Sequence, residues 1–541
     1  MPLDRMQRCL LSFAVSFSLQ HCHSPSINPM ANRAEELRAM ALENPIGLQQ
    51  TLQHSTLDAD ELNKITCGLP RAPDGVAKDF EQIEDKSGSV HTLNLSEFHS
   101  RKGAPYTIFL DFDGQTVTDT LWNQYYGNNQ EMVFPPVFDL SRDLEKAKAL
   151  AIWQEVSEHY SAFDVDVTLE EPFIGSFGGG EADVPKTALR VLITQSLGTI
   201  PLAGGIAFYG SAHFSKDTPV LAFPSPWNRV PDIGLIISHE VGHAFGLAHD
   251  GSSVDGEYSR GMNNWGPIMG APYGMARIQW SAGDYDGATN RQNDTAILQE
   301  QLGLAGDDHS SNAADATGLL RGERIYQRDV MMRRGVIDSN GDSDTFTFSF
   351  DVDQGSVSIW TEPVDGMGNT FILSKAGDLK VNAELRRSDG SLVVASDGNN
   401  QSGSLTANLT RGQYFYTVRG GGLAGAFSAY GSLGRYIVRA TSDTFGPIAT
   451  TPAAGEIISV VSSVHRGFAL LPAVLGATSY VVEATQNWLD WTTVATSATP
   501  GFVALGPPYE LNTTYYYRAY ATNEGGSGYR SGAVKFHTPM Y

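Results

Sequence analysis

Cysteine is scarce: the 541-residue sequence has three, and two of them, Cys9 and Cys22, fall within its first 24 residues. If that segment is removed, Cys67 stands alone and no internal disulfide can form, so the domains must rest on their cores or on metal ions. Basic charge is also short. Lys and Arg number 37 against 60 Asp and Glu, a net charge of −23, which opposes phosphate backbones and anionic membrane surfaces and argues against nucleic acid as a partner. No apolar run reaches the roughly 20 residues that cross a bilayer, since His239 and Glu240 interrupt the best one; no membrane span is expected. A repeat period of about 20 to 50 residues is also missing, which sets solenoids aside.

What is present points to several packed, β-rich domains. Hydrophobic residues make up 41% and aromatics 10%, enough for buried cores, and 56 Gly with 26 Pro supply the turns of many short strands. At about 150 residues per domain, the length gives roughly three to four units. Arg5 and Arg8 precede an apolar stretch over 9–19 and a polar one over 20–29, the order of a secretion signal. Residues 1–24 are read as that signal and the protein as secreted, with an ordinary N-terminal tail and a start at Met30 as the alternative.

Residues 25–103 read as a leader, or propeptide, with helices predicted over 34–42 and 58–64 and a strand over 91–95. Over 104–304 the pattern is α/β: a buried strand within 105–114, strands at 165–169, 188–194, 205–214 and 220–223, and helices over 144–160 and 231–245. Leu144, Ala147, Leu150, Trp153, Val156 and Tyr160 share one face of the first of these helices. A linker begins after Gly306. The stretches 313–441 and 445–541 then alternate strand-length runs with turns, as two all-β sandwiches do.

The densest chemical signal is His239-Glu240-Val241-Gly242-His243-Ala244-Phe245-Gly246-Leu247-Ala248-His249-Asp250. One helical turn separates 239 from 243, so both imidazoles leave the same face and can hold one zinc ion. Gly246 tolerates a positive φ, which ends the helix and swings His249 in as a third ligand. Three nitrogens leave a fourth position for water, which zinc activates at neutral pH. Glu240, beside the first ligand, is placed to take the proton and return it to a leaving amine. With 13 His and 56 Gly in 541 residues, a chance match to the five fixed positions arises on the order of 10⁻⁵ to 10⁻⁴ times per chain. A closed structural zinc site is disfavoured, because no Cys lies near the motif in sequence.

This stretch resembles the long motif of the metzincin zinc endopeptidases, H-E-x-x-H-x-x-G-x-x-H followed by a methionine turn. Asp250 and the flanking GGIAFYGSAHF and DVDVTLEEP are similar to the reprolysin-like (adamalysin-like) secreted bacterial members. The resemblance covers about residues 104–304. It implies an α/β metzincin-like catalytic domain in which His239, His243 and His249 bind one Zn²⁺, Glu240 is catalytic, and Met269 in GPIMG forms a hydrophobic base beneath the ligands. It also implies that an edge strand, here 205–214, pairs with extended protein or peptide substrates. Ala271 stands where some relatives carry a Tyr that approaches the zinc, so Tyr273 is read as an ordinary turn residue. His213 and His159 are read as surface or core histidines. Cys67-Gly68-Leu69-Pro70 resembles the core of the matrixin cysteine switch, in which a leader thiolate fills the fourth zinc position until the leader is cut away. Thr66 and Arg71 depart from the usual Arg and Asp there, and a buried, inert thiol is the alternative.

Asp338, Asn340, Asp342 and Asp344 place oxygen side chains at alternating positions, as Ca²⁺ loops do, without the central Gly or closing Glu of an EF-hand. A polar hairpin turn is the alternative. The unit 313–441 resembles the bacterial pre-peptidase C-terminal domain, which is appended to secreted proteases and sometimes carries calcium. Residues 445–541 resemble a fibronectin type III domain, with Tyr517 at the tyrosine-corner position. Trp360, Trp488 and Trp491 could touch polysaccharide, although strand aromatics also serve as core; extracellular matrix or polysaccharide is the partner class such modules imply. The sequence thus reads as a secreted zinc-dependent endopeptidase of extracellular proteins. The rival reading is a surface adhesion protein carrying a vestigial zinc unit.

Overall fold

The computed structural model describes residues 29–71, 95–178, 186–225, 228–325, 328–350, 352–364, 377–396, 403–424 and 426–442, with strands and turns between 459 and 537. The predicted signal over 1–24, the predicted strand over 91–95 except for its last residue, and Trp488 lie outside the described residues. Leu95 itself begins a short 3-10 turn.

The leader starts with three helices, α1 (Pro29–Glu43), α2 (Pro45–Gln53) and α3 (Ala59–Ile65). A capping box opens α3: Asp58 accepts from the Glu61 amide at 2.8 Å while Glu61 reaches back to the Asp58 amide at 3.2 Å, satisfying two amides that the first helical turn leaves unpaired. The chain then passes directly into β1 (Thr66–Cys67).

The α/β unit contains, in order, β2 (Tyr106–Asp111), β3 (Gln115–Val117), α4 (Leu121–Tyr126), β4 (Met132–Phe134), α5 (Asp143–His159), β5 (Val165–Thr168), β6 (Ala188–Ile193), β7 (Gly205–Phe208), β8 (Val220–Ala222), α6 (Val230–Ala244), β9 (Trp265–Pro267), β10 (Arg277–Gln279) and α7 (Asp294–Leu302). Its main sheet has the order β1-β7-β8-β6-β2-β5. Four strands are parallel, β7 runs antiparallel to β8, and the leader supplies the edge by pairing β1 antiparallel to β7, Thr66 opposite Phe208 and Cys67 opposite Ala207. Alternation along the strands divides the sheet. Ala207, Val220, Ala222, Val191 and Ile193 share one core with α5 and α6, whereas Ile206, Phe208, Leu192 and Leu221 pack with leader residues Leu48, Leu52, Ile65 and Cys67.

The predicted strand over 205–214 is shorter than expected. It stops at Phe208, because Gly210 turns the chain at φ 74° and Ser211–His213 form a 3-10 turn. The predicted face of α5 is confirmed from Ala147 to Tyr160, with Leu144 only half-buried. The same helix also buries Glu155, Glu158 and His159, which periodicity does not foretell.

The first sandwich has two five-stranded sheets. Two arginine-bearing strands, Leu320–Ile325 and Arg328–Ile337, open the second sheet and interrupt apolar alternation enough to hide from the sequence reading. One cluster of buried side chains runs from α5 and α6 through Trp280 into Leu379, Val381 and Tyr436, so the α/β unit and this sandwich share a core. The last strands form two further sheets around Leu471, Tyr480, Val482, Tyr517 and Ala519. Trp360 donates to Glu362 at 2.7 Å, and Trp491 lies under the Arg518 guanidinium, 3.9 Å from ring centre to Cζ. Among the described residues no helix is long and apolar enough to cross a membrane.

Candidate metal centre

Helix α6 carries Pro231 in its first turn and ends where predicted. Gly246 adopts φ 89°, and the Leu247 amide returns to the Gly242 carbonyl at 2.9 Å, closing the helix and reversing the chain. That reversal delivers His249. The ring centroids of His239, His243 and His249 lie 4.6, 4.8 and 5.4 Å apart in pairs.

Each ring is oriented by a partner that can only accept. Nδ1 of His239 donates to the Ile268 carbonyl at 2.8 Å, Nδ1 of His243 to the Leu247 carbonyl at 2.6 Å, and Nδ1 of His249 to Glu257 Oε1 at 2.7 Å. Three Nε2 lone pairs therefore face inward. His239 Nε2 and His243 Nε2 are 2.9 Å apart. Burial, with His249 beside it adding, pushes His239 down to about 3, and burial with both neighbouring imidazoles pushes His243 well below its ordinary value, which favours the neutral rings. Met269 is fully buried beneath α6, and a Cβ at Gly242 would come within 2.5 Å of its sulfur, so glycine there admits the methionine. The Met269 carbonyl also accepts from the Asp250 amide at 2.8 Å.

Cys67 arrives from the leader. Its Sγ touches His249 Nε2, and donor atoms of Cys67, His243 and His249 all lie within 4.8 Å of one another. His239 is not in that group, although its Nε2 lies beside that of His243; imidazoles with a thiol are a donor set that suits zinc. The sequence placed no Cys near the motif. In space the sheet edge brings one across 182 residues, so the reason for disfavouring a closed site does not survive.

Glu240 is fully buried. Its Oε1 accepts from the Leu69 amide at 3.0 Å, while Oε2 has no hydrogen-bond partner among the described residues; burial holds its carboxyl well above the usual range, against the pull of that amide. The leader crosses the cleft in extended form. The Gly204 amide donates to the Leu69 carbonyl at 2.6 Å, Tyr258 Oη to the Gly68 carbonyl at 3.2 Å, and Tyr273 Oη to the Pro70 carbonyl at 2.5 Å. Tyr273, expected to be an ordinary turn residue, therefore binds the leader. Tyr258, whose ring lies 4.1 Å from that of His249, escaped the sequence reading because no spacing rule links it to the motif. His213 bonds Gln301 at 2.5 Å and stands outside the ligand group, as expected.

The acidic loop is partly rearranged from its expected pattern. Of the predicted carboxylates only Asp344 is grouped, with Asp307 and Asp308, which were read as linker, their oxygens within 4.8 Å; Asp338 and Asp342 fall outside that group. The Asp338 amide is tied to Asp342 at 2.9 Å, and Asp338 lies close enough to Asp342 for their charges to interact. Asp344 is fully buried; Oδ2 accepts from Tyr436, and Oδ1 has no partner among the described residues. Burial and the neighbouring carboxylates push Asp344 up to about 9 and Asp342 up to about 6.

No family model matches the chain, and no curated protein matches it. Among solved structures, 24% of the chain is similar to the pre-peptidase C-terminal domain of a collagenase from Bacillus anthracis, at 12% identity over 99% of that domain with a TM-score of 0.16. A further 17% is similar to an Fn3-like protein from Clostridium thermocellum, at 26% identity over 96% of that chain with a TM-score of 0.15. The fibronectin type-III domain of human fibronectin type III domain containing protein 3 is similar over 18% of this chain and 92% of its own, at 15% identity and a TM-score of 0.15. These similarities are to β domains and reach small parts of the chain.

Proposed function

We propose that the protein is a secreted, zinc-dependent endopeptidase of the reprolysin-like metzincin type, kept latent by its leader through Cys67. The observation that carries this reading is the convergence of three inward Nε2 lone pairs beside a buried carboxylate, with an extended segment of the same chain lying across both. His239, His243 and His249 would hold the zinc, which when bound would supply Lewis-acid activation of water and of a scissile carbonyl. Glu240, through Oε2, takes the proton from the attacking water and returns it to the leaving amine. Once the leader is gone, the edge of β7 and the hydroxyls of Tyr258 and Tyr273 are free to meet backbone groups of an extended peptide, so hydrolysis of internal peptide bonds in extracellular proteins follows with little demand on sequence.

The direct test compares wild type with Glu240→Ala after leader removal. The variant is expected to keep its zinc and to lose casein cleavage by at least about a hundredfold, the scale of a general base; unchanged cleavage would remove the mechanism. The adhesion reading predicts that even leader-free wild type leaves casein uncut. At the acidic loop, the unpartnered buried Oδ1 of Asp344 beside Asp307 and Asp308 favours bound Ca²⁺, an oxygen-seeking cation, over a bare polar turn.

A further inference from the structure

A second cluster of metal-ligating side chains lies where the α/β unit meets the first sandwich. Glu155 and His159 are one helical turn apart on α5, the spacing that lets 239 and 243 share a face on α6. Asp378 approaches from the sandwich, and the donor atoms of all three, each buried, lie within 4.8 Å of one another. His159 Nε2 stands 3.3 Å from Asp378 Oδ2 and 3.8 Å from Glu155 Oε1. Around a tetrahedral zinc with bonds of about 2.0–2.1 Å, donor atoms are separated by about 3.3–3.4 Å. Despite that proximity, Nε2 makes no hydrogen bond among the described residues, and the residue is 5% exposed.

The surroundings hold each donor in place. His159 Nδ1 lies 2.7 Å from Ser238 Oγ, on α6 immediately before His239, which fixes the ring and leaves Nε2 aimed at the two carboxylates. Asp378 Oδ1 accepts from the Ile278 amide at 2.8 Å, and its main-chain carbonyl accepts from Arg277 Nε at 2.9 Å and Gln279 Nε2 at 2.6 Å. Its Oδ2 is the oxygen nearest His159 Nε2. Gly234 on α6 makes room for the Glu155 side chain, whose Cβ would lie 2.8 Å from a Cβ placed there.

We propose that Glu155, His159 and Asp378 form a second divalent-metal site, separate from the catalytic centre, that binds a zinc-class cation and fastens the catalytic unit to the first sandwich. One imidazole among carboxylates selects a first-row transition ion over calcium, which takes oxygens. The competing state is a metal-free ion pair in which a protonated His159 sits between the two carboxylates.

The experiment uses the full unprocessed chain, equilibrated with Zn²⁺, desalted and analysed for metal. Wild type is expected to hold about two equivalents and His159→Gln about one, each structural site being tight enough to survive desalting. If the catalytic triad bound nothing, wild type would hold about one and His159→Gln none, so failure of the proposed function does not imitate failure of this site. A folded His159→Gln with wild-type zinc content overturns the proposal in favour of the ion pair. Should that variant not fold, anomalous scattering at the zinc edge from wild-type crystals decides: a peak between α5 and Asp378 is expected, and its absence overturns the site.

Discussion

Replacing Cys67 with Ser tests the proposed latency at its narrowest point. The thiol is 3% exposed and meets His249 in the cleft, so its loss removes a contact worth about 0.5–1.5 kcal/mol. At about 1.4 kcal/mol per tenfold, the open fraction of the unprocessed chain should rise about two- to tenfold. It should not become complete. The leader still keeps the bonds from Leu69 to Glu240, Gly204 to Leu69, Tyr258 to Gly68 and Tyr273 to Pro70, each contributing about 0.5–1.5 kcal/mol. Cleavage of a quenched fluorescent peptide, with intact mass confirming an uncut leader, reads the change. A Cys67→Ser chain as silent as unprocessed wild type, yet fully active after leader removal, would refute a blocking role for the thiol.

Calcium should raise the midpoint of thermal unfolding of the wild type: at a hundred times its dissociation constant, a ligand of the folded state stabilises by about 2.7 kcal/mol. Asp344→Asn should abolish the increase in a calorimetric titration, and an equal rise in both proteins would count against the site. At the start of the α/β unit, His99 lies 2.6 Å from Asp166 and 2.7 Å from Glu170. Burial alone would lower its pKa, but those two carboxylates outweigh burial and raise it. The charged form is therefore favoured by folding, and its contribution is full below the ordinary value of about 6.5 and disappears as pH rises through the higher folded value. The stability gap between wild type and His99→Gln, measured by urea unfolding, should narrow from pH 6 to pH 9; a gap that widens would contradict the assignment.

The histidine motif was legible because its geometry is local. Two of its histidines share one helical face, Gly246 provides the left-handed turn, and the third follows within the same dozen residues. Met269 could be placed from the turn around it. The leader's part was legible only as a short string around Cys67, since spacing cannot say that α3 feeds β1 onto the edge of β7. Contacts from Tyr258 and Tyr273 to Gly68 and Pro70 span 190 and 203 residues, beyond any pattern in the chain. Asp307 and Asp308 looked like linker because only the folded chain returns them to Asp344. His159 read as an ordinary histidine for the same reason: its partner Asp378 lies on another domain.

X-ray absorption at the zinc edge on the His159→Gln chain, which should hold zinc at this centre alone, before and after leader removal addresses the open fourth position directly. Before cleavage one sulfur scatterer at about 2.3 Å should accompany nitrogen at about 2.0–2.1 Å; afterwards the sulfur should vanish as peptide cleavage appears. Sulfur that persists in fully processed material, or zinc that never shows three imidazoles, would contradict a catalytic centre at His239, His243 and His249.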